Sequence, residues 1–270
     1  MSKYDYTQLR REVPMFNYEE YKNIINMIRE HLPIIDFADI KDDTEKFCVL
    51  RHDIEFSIDR AYELAKIEKD LGVYSTYTVQ LRNNTYNALS EKNIELVKRI
   101  KELGHQVGLH QNPPLMELEH LGNYIQADIS ILEHFYGFGV DRFAFHRPKK
   151  EYLKANIRLD NKINCYDKKF FHYYDDNPIT LSLKALDMKP VSRIDVLYLS
   201  DSNHKLKFGY PMNYDFSKVD KLQLLTHPYS WSETGGDNYS NFLSVIRERN
   251  KELLHSMNTE TSTFPKELLQ

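Results

Sequence analysis

Apolar and polar positions follow two different periods along the chain, and each period predicts one kind of element. Short apolar or alternating runs predict strands at KFCVL, STYTVQL, QVGL, RFAF, KINCYD, DVLYLSD and KLQLLTHP. Apolar residues three and four positions apart predict helices over residues 18–32, 57–72, 90–104, 115–137 and about 239–257. Ser57 and Ser90 are suitable N-caps, and Gly72 is suited to end its helix. Residues 170–191 show neither period clearly.

The order of these elements predicts the fold class. Strands that alternate with helices at this spacing indicate βα units and a parallel sheet, either open or closed into a barrel. No repeat, composition shift or Ser/Gly-rich linker divides the 270 residues. We therefore expect one domain over residues 1–270, with residues 1 to about 45 forming an N-terminal helical extension.

Composition and charge narrow the possible partners. The 36 Lys and Arg residues are interspersed among 40 Asp and Glu residues, and the net charge is -4, so no basic face for nucleic acid is expected. No segment has the apolar run of a signal peptide or a membrane span, which predicts a cytoplasmic protein. Cys48 and Cys165 are too few for a disulfide framework. Nothing in the pattern predicts an oligomeric state.

Four of the predicted strands end at or near a histidine. The runs FCVL, QVGL, RFAF and LQLL are followed within two residues by His52, His110, His146 and His227. The carboxyl ends of parallel strands share one edge of the sheet, where loops carry ligands and chemistry. We therefore expect these histidines to line one pocket.

Two carboxylates follow the first of these strands. Asp53 and Glu55 alternate along an extended segment and so project to the same side, at a place where uncompensated charge is costly. The compensating cation is either a metal ion or an arginine, Arg51 or Arg147, in a salt bridge. A carboxylate with the imidazole of His110 suits Zn, Fe, Co or Mn.

The motifs LRHDIEF, GHQVGLH, FHRP and LTHP, in this order, resemble those of the polysaccharide deacetylase family (NodB homology, carbohydrate esterase 4-like). They are most similar to its cytosolic branch associated with cell-surface polysaccharides. The resemblance implies an α/β fold, a distorted (β/α) barrel with about seven strands. It also implies metal-dependent removal of an acyl group from an N-acylated sugar.

The same resemblance implies a role for five residues. Asp53 corresponds to the catalytic base, Arg147 to the arginine that orients it, and His227 to the general acid. Glu55 and His110 correspond to metal ligands, and zinc is the first choice of metal, with Fe, Co or Mn as alternatives.

The chain departs from the family pattern at two ligand positions. Glu55 stands where the family has Asp, and Pro114 stands where a second metal-binding His would follow His110. His146, Asn112 or a water molecule is left to complete the ligand set, and we favour His146 because it ends a neighbouring strand.

Substrate contacts are predicted at Arg51, Asp201 and Trp231. Asp201 follows a strand, and Trp231 lies on the loop after His227, where an indole could stack on a sugar or pack beneath the loop.

The expected function is hydrolysis of an amide C–N bond, with release of acetate or formate from an N-acylated sugar. The sugar would be a nucleotide-linked or lipid-linked precursor in cell-surface polysaccharide biosynthesis, such as that of lipopolysaccharide or O-antigen. One alternative is a related hydrolase of a small non-sugar amide. The other is a non-catalytic glycan-binding barrel with a degenerate metal site.

Overall fold

The computed structural model describes residues 15–112, 117–171, 196–206 and 208–269. Within these residues it has seven strands: β1 Phe47–Ile54, β2 Thr76–Val79, β3 Gln106–Gln111, β4 Arg142–Phe145, β5 Ile163–Asn164, β6 Leu197–Ser200 and β7 Lys221–Thr226. The α-helices of the same part of the chain are α1 Tyr18–Arg29, α2 Ile58–Leu71, α3 Glu91–Glu102, α4 Leu121–Tyr136, α5 Lys150–Ala155 and α6 Asn238–Glu260. The predicted strands are all present, and most of the unclear segment 170–191 lies outside the described residues.

All seven strands belong to one parallel sheet in the order β5-β4-β3-β2-β1-β7-β6. The sheet is strongly curled. Five strand spacings separate β5 from β7, about 24 Å in a flat sheet. Yet the amide group of Gln223 on β7 donates hydrogen bonds to the carbonyls of Cys165, just after β5, at 3.0 Å and of Phe170 at 2.8 Å. The predicted distorted (β/α) barrel of about seven strands is confirmed.

The two faces of β1 have different surroundings. Cys48 and Leu50 pack in one apolar cluster with residues of α1 and of β7, on the outer face of the sheet. Arg51 and Asp53 point into the concave side, where Arg51 donates to Gln223 at 2.9 Å. Side chains alternate between faces along a strand, so Arg51 and Asp53 share one face of β1, opposite Cys48 and Leu50.

The outer layer of helices completes the packing. Helix α1 contributes Tyr21, Ile24, Ile25 and Ile28 to the cluster that covers β1 and β7. No helix in the described ranges combines the length and the apolar character that crossing a membrane requires.

Candidate active site

The candidate active site lies at the carboxyl-terminal edge of the sheet, on its concave side. β1 and its following residue contribute Asp53 and Glu55, β3 contributes His110, and His146 and His227 directly follow β4 and β7. Parallel strands bring these residues to one edge although 174 positions separate the first from the last. The structure therefore brings together both predicted carboxylates and three of the four predicted histidines.

Glu55, His110 and His146 present their ligand atoms to one another. His110 Nε2 lies 3.2 Å from His146 Nδ1, which lies 3.1 Å from Glu55 Oε1. One ligand atom from each residue lies within 4.8 Å of those of the other two. Burial lowers the pKa of His110 to about 4, so its ring is neutral at pH 7, the form that binds a metal.

These three residues fit a divalent transition metal. Ligand atoms in a tetrahedral zinc site, at about 2.0–2.2 Å from the ion, are roughly 3.3 Å apart, close to the separations found here. Two imidazoles and one carboxylate are also a ligand set of catalytic zinc sites. His146 thus occupies the position that the sequence left open, whereas Pro114 lies outside the described residues. The metal-ligand roles themselves remain a prediction.

Asp53 is a buried carboxylate held by two neighbours. Arg51 Nε lies 3.0 Å from Asp53 Oδ1, and Arg51 Nη2 donates to Oδ2 at 3.1 Å. The hydroxyl of Thr78, opposite on β2, donates to Oδ1 at 2.8 Å. Burial alone would raise the pKa of Asp53, but the charge of Arg51 and the nearby His110 hold it well below its usual range. Asp53 is therefore ionised throughout the neutral range.

The structure corrects the two arginine predictions. Arg51, predicted to contact substrate, is fully buried and instead forms the ion pair with Asp53. Arg147, predicted to orient Asp53, is exposed beside His146, and none of the described ion pairs joins it to Asp53. His146 faces the concave side, so strand alternation would already direct Arg147 away from Asp53, and with φ 47° the backbone leaves the strand conformation at Arg147.

His227 is paired with a second buried carboxylate. Its Nδ1 lies 2.7 Å from Asp201 Oδ1, and its backbone N–H donates to both oxygens of Asp201 at 2.9 and 3.1 Å. Burial would lower the pKa of His227, but the hydrogen bond and charge of Asp201 outweigh it and raise the pKa to about 9. The other ring nitrogen, Nε2, faces Glu55 Oε1 at 3.7 Å. A protonated imidazole therefore points toward the proposed metal ligands.

Asp201 and Trp231 were predicted to contact substrate, and the structure corrects both. Each is 1% exposed. The indole N–H of Trp231 donates to Asp201 Oδ2 at 2.8 Å, so the ring packs beneath the loop and supports the partner of His227. Neither side chain has a surface that a sugar could reach.

His52 is the one predicted pocket histidine that lies elsewhere. It faces the helices behind the sheet, with Nε2 2.8 Å from Glu68 Oε1 and Nδ1 2.5 Å from the hydroxyl of Thr226. The alternation of side chains along β1 had indicated this, because Asp53 next to it faces the concave side.

A groove of about 1090 Å³ opens next to the three candidate ligands. Its lining comes from the loop after β2, from the ends of β3 and β4, and from α4; it includes Asn83, Asn84, Asn112, Tyr124 and Arg147. Amide groups and an aromatic ring are suited to the hydroxyls and apolar faces of sugars. Asn112, the alternative ligand, lines this groove.

The role of Asp201 as the partner of His227 was missed in the sequence. The sequence did contain an indication of this role: Asp201 directly follows the strand LYLS, just as His227 directly follows LQLLT. Ser200 pairs with Leu225 in the sheet, which brings Asp201 beside the end of β7. Finding the pair required knowing that β6 and β7 are neighbours.

No protein-family model matches the chain, and no curated protein matches it. A family 4 acetyl xylan esterase from Clostridium thermocellum, in complex with a cobalt ion, is 14% identical with a TM-score of 0.30, covering 36% of this chain and 47% of that chain. The chain thus spans about half the length of that esterase. A CE4 family pseudoenzyme from Bacillus anthracis is 14% identical with a TM-score of 0.40, covering 82% of this chain and 68% of that chain.

A peptidoglycan N-acetylglucosamine deacetylase of known structure is 16% identical with a TM-score of 0.42, covering 78% of this chain and 84% of that chain. The solved structures that this chain resembles therefore include members of the family whose motifs its sequence resembles.

Proposed function

We propose that this protein is a metal-dependent hydrolase that removes an acetyl or formyl group from an N-acylated sugar. The observation that carries the proposal is the convergence of Glu55, His110 and His146 on one point, beside an ionised Asp53 and a protonated His227. A metal site, a base and an acid are the parts that hydrolysis of an unactivated amide requires.

The charge state of each residue suits it to a different role in the reaction. A divalent ion bound by Glu55, His110 and His146 would supply Lewis acidity, which polarises an acyl carbonyl and acidifies water. Asp53, kept ionised by Arg51, accepts the proton of the attacking water. His227, kept protonated by Asp201, donates a proton to the leaving amine nitrogen, which must be neutralised before the C–N bond breaks.

The groove supports a sugar over a small amide as the substrate. Its volume of about 1090 Å³ exceeds what a small amide would fill, and four of its lining residues are asparagines. The sequence motifs support a role in cell-surface polysaccharide biosynthesis, such as that of lipopolysaccharide or O-antigen. On this proposal the substrate is a nucleotide-linked or lipid-linked precursor and the protein acts in the cytoplasm.

Acid release from N-acetyl and N-formyl sugars tests the proposal. Protein loaded with zinc, cobalt, manganese or iron is expected to release acetate or formate, and a chelator is expected to stop it. Asp53→Asn keeps the shape but loses the basic oxygen, so we expect kcat to fall about 10²- to 10⁴-fold.

The control is Lys98→Gln, a half-buried position on α3 that takes no part in the site, which is expected to keep the parental rate. Absence of acid release from every free and nucleotide-linked sugar by a metal-loaded parent would contradict the proposal and favour the glycan-binding alternative.

A further inference from the structure

Arg147 occupies an unusual place in the groove wall. It follows the candidate ligand His146, it is exposed, and its side chain lines the groove. Its φ of 47° lies in the left-handed region, which is uncommon for a residue other than glycine and less favourable still before a proline, here Pro148. Backbone strain of this kind persists where the surroundings fix a side chain in place, and it concentrates at binding sites.

The charges around Arg147 leave its guanidinium available. The three carboxylates at the site all face other groups: Asp53 faces Arg51, Asp201 faces His227, and Glu55 faces the rings of His146 and His227 at 3.1 and 3.7 Å. In the same groove both oxygens of Asp128 accept hydrogen bonds from Arg82, which neutralises that second arginine.

In the part of the chain that the structure describes, no carboxylate lies within 4.0 Å of Arg147. A divalent ion at the ligand cluster would make the mouth of the site more positive still. The groove therefore presents, at Arg147, a positive charge that has no ion-pair partner among the described residues, in the same lining as His146.

The wall opposite this charge is polar and is anchored to the site. The side chains of Asn83 and Thr85 donate to the backbone carbonyl of Glu55 at 2.7 and 2.9 Å, so the loop after β2 is fixed relative to that candidate ligand. Asn84 extends from this loop into the groove lining. Asn112 Oδ1 is buried without a hydrogen-bond partner among the described residues. Such groups suit the hydroxyls of a sugar ring.

We propose that Arg147 binds an anionic substituent of the sugar substrate, a carboxylate or phosphate oxygen carried next to the N-acyl group. The inference rests on the proposed function and specifies its substrate class. A planar guanidinium pairs with either anion through two parallel N–H donors. Because His146 and Arg147 line the same groove, we expect the anion on a ring carbon near the one that bears the amide.

Three N-acetylated sugars test this assignment with the metal-loaded protein. UDP-N-acetylglucosamine carries a diphosphate on the ring carbon beside the acetamido carbon, and N-acetylmuramic acid carries a carboxylate on the other neighbour. Methyl N-acetylglucosaminide is neutral. The variant is Arg147→Asn, because asparagine tolerates the left-handed backbone while the guanidinium and its charge are removed. Arg147→Lys keeps the charge, and Arg247→Asn, an exposed arginine on α6 outside the groove, is the control.

For at least one anionic sugar, Arg147→Asn is expected to raise KM about 10- to 100-fold, since a charged hydrogen bond is lost. Arg147→Lys should recover part of this loss, and the neutral sugar and Arg247→Asn should show no change. The sugar that responds identifies the anion as phosphate or carboxylate. An equal change, or no change, for all three sugars would overturn the inference while the proposed function stands.

Calorimetric titration of the same sugars separates the two proposals. If nothing is hydrolysed, but an anionic sugar binds the parent and loses about 10-fold or more affinity in Arg147→Asn, then the proposed function fails and the anion site stands. If neither anionic sugar binds the parent more tightly than the neutral one, the anion site fails.

Discussion

His227 keeps its proton into the alkaline range because Asp201 faces its Nδ1 at 2.7 Å. The same carboxylate accepts the backbone N–H of His227 and the indole N–H of Trp231, so it is fully used and cannot turn away. Its charge outweighs the effect of burial and raises the pKa of His227 to about 9. A general acid with this pKa is protonated throughout the pH range around 7.

Asp201→Asn tests this pairing through the pH dependence of acyl release. The substitution removes the negative charge, so the pKa of His227 falls toward its ordinary value of about 6.5. Since the acid must be protonated, the alkaline limb of the kcat/KM profile should move to lower pH. Rates between pH 5 and 10 measure the shift.

Trp231→Phe is the matched control, because it removes the other donor to Asp201 and leaves the charge in place. An alkaline limb at the parental pH in Asp201→Asn would show that His227 is not the acid.

At single residues, the sequence predicted which strand ends come together but not which side chains face the shared pocket. Period-two alternation puts His52 and Asp53 on opposite faces, which the expectation of four histidines in one pocket did not take into account. Alternation after His146 likewise directs Arg147 away from Asp53, and the positive φ at Arg147 ends the strand conformation there. It also could not show that Arg51 is buried, since its partners Gln223 and Tyr166 are 172 and 115 positions away. Burial of a polar group depends on partners that only the fold brings near.

Helix α2 and strand β1 are joined behind the site by one buried carboxylate. Glu68 accepts hydrogen bonds from the hydroxyls of Tyr21, Tyr77 and Ser75 at 2.5, 2.7 and 2.6 Å, and its Oε1 lies 2.8 Å from His52 Nε2. Burial would raise the pKa of Glu68, but His52, His105 and the hydroxyl of Ser75 lower it to about 2. The carboxylate therefore fixes α1, α2 and two strands at one point.

Glu68→Gln should destabilise the protein. One carboxylate oxygen is replaced by an amide nitrogen, which cannot accept the hydrogen bonds that the donor groups make to this oxygen. Leaving such groups unpaired in the interior costs about 1–3 kcal/mol each. The pKa of Glu68 is lowered on folding, so its contribution is present above about pH 4.5 and is lost as the pH falls toward 2. The difference in free energy of unfolding between parent and variant should therefore shrink on acidification.

Urea denaturation at pH 7 and at several lower pH values measures that difference. Glu63→Gln, on the solvent-facing side of the same helix, is the control and should change stability by no more than about 0.5 kcal/mol. Equal stability of Glu68→Gln and the parent at pH 7 would contradict the role given to this carboxylate.

At the level of elements, local chemistry predicted both ends of α2. The hydroxyl of Ser57 accepts the N–H of Arg60 and Gly72 has φ 71°, as the sequence predicted for α2. Ser90 precedes α3 as predicted, but its hydroxyl donates to the carbonyl of Asn87 and makes no cap hydrogen bond. The preceding turn competes for that hydroxyl, which a helical period alone does not reveal.

In the whole molecule, the curl of the sheet gives the site its depth. Alternation of strands and helices predicted the parallel sheet, but left its closure open and did not give the order β5-β4-β3-β2-β1-β7-β6. Strand order depends on pairings between distant segments, such as β1 with β7, for which local patterns carry no signal. The prediction of a barrel came from the resemblance of the motifs, because the apolar periods did not distinguish an open sheet from a closed one.

Metal stoichiometry tests the proposed metal-dependent hydrolase most directly. Protein equilibrated with zinc and freed of excess ion is measured by mass spectrometric elemental analysis, with circular dichroism to confirm that each variant is folded. We expect one divalent ion per chain in the parent. We also expect one ion per chain in the control variant, His120→Ala. His120 belongs to an exposed group with Glu117 and Glu119, on the turn that precedes α4.

Glu55→Ala, His110→Ala and His146→Ala should each lose most of the ion, because one of three protein ligands is gone. A parent without bound metal, or full metal content in all three variants, would contradict the metal site on which the proposed function rests.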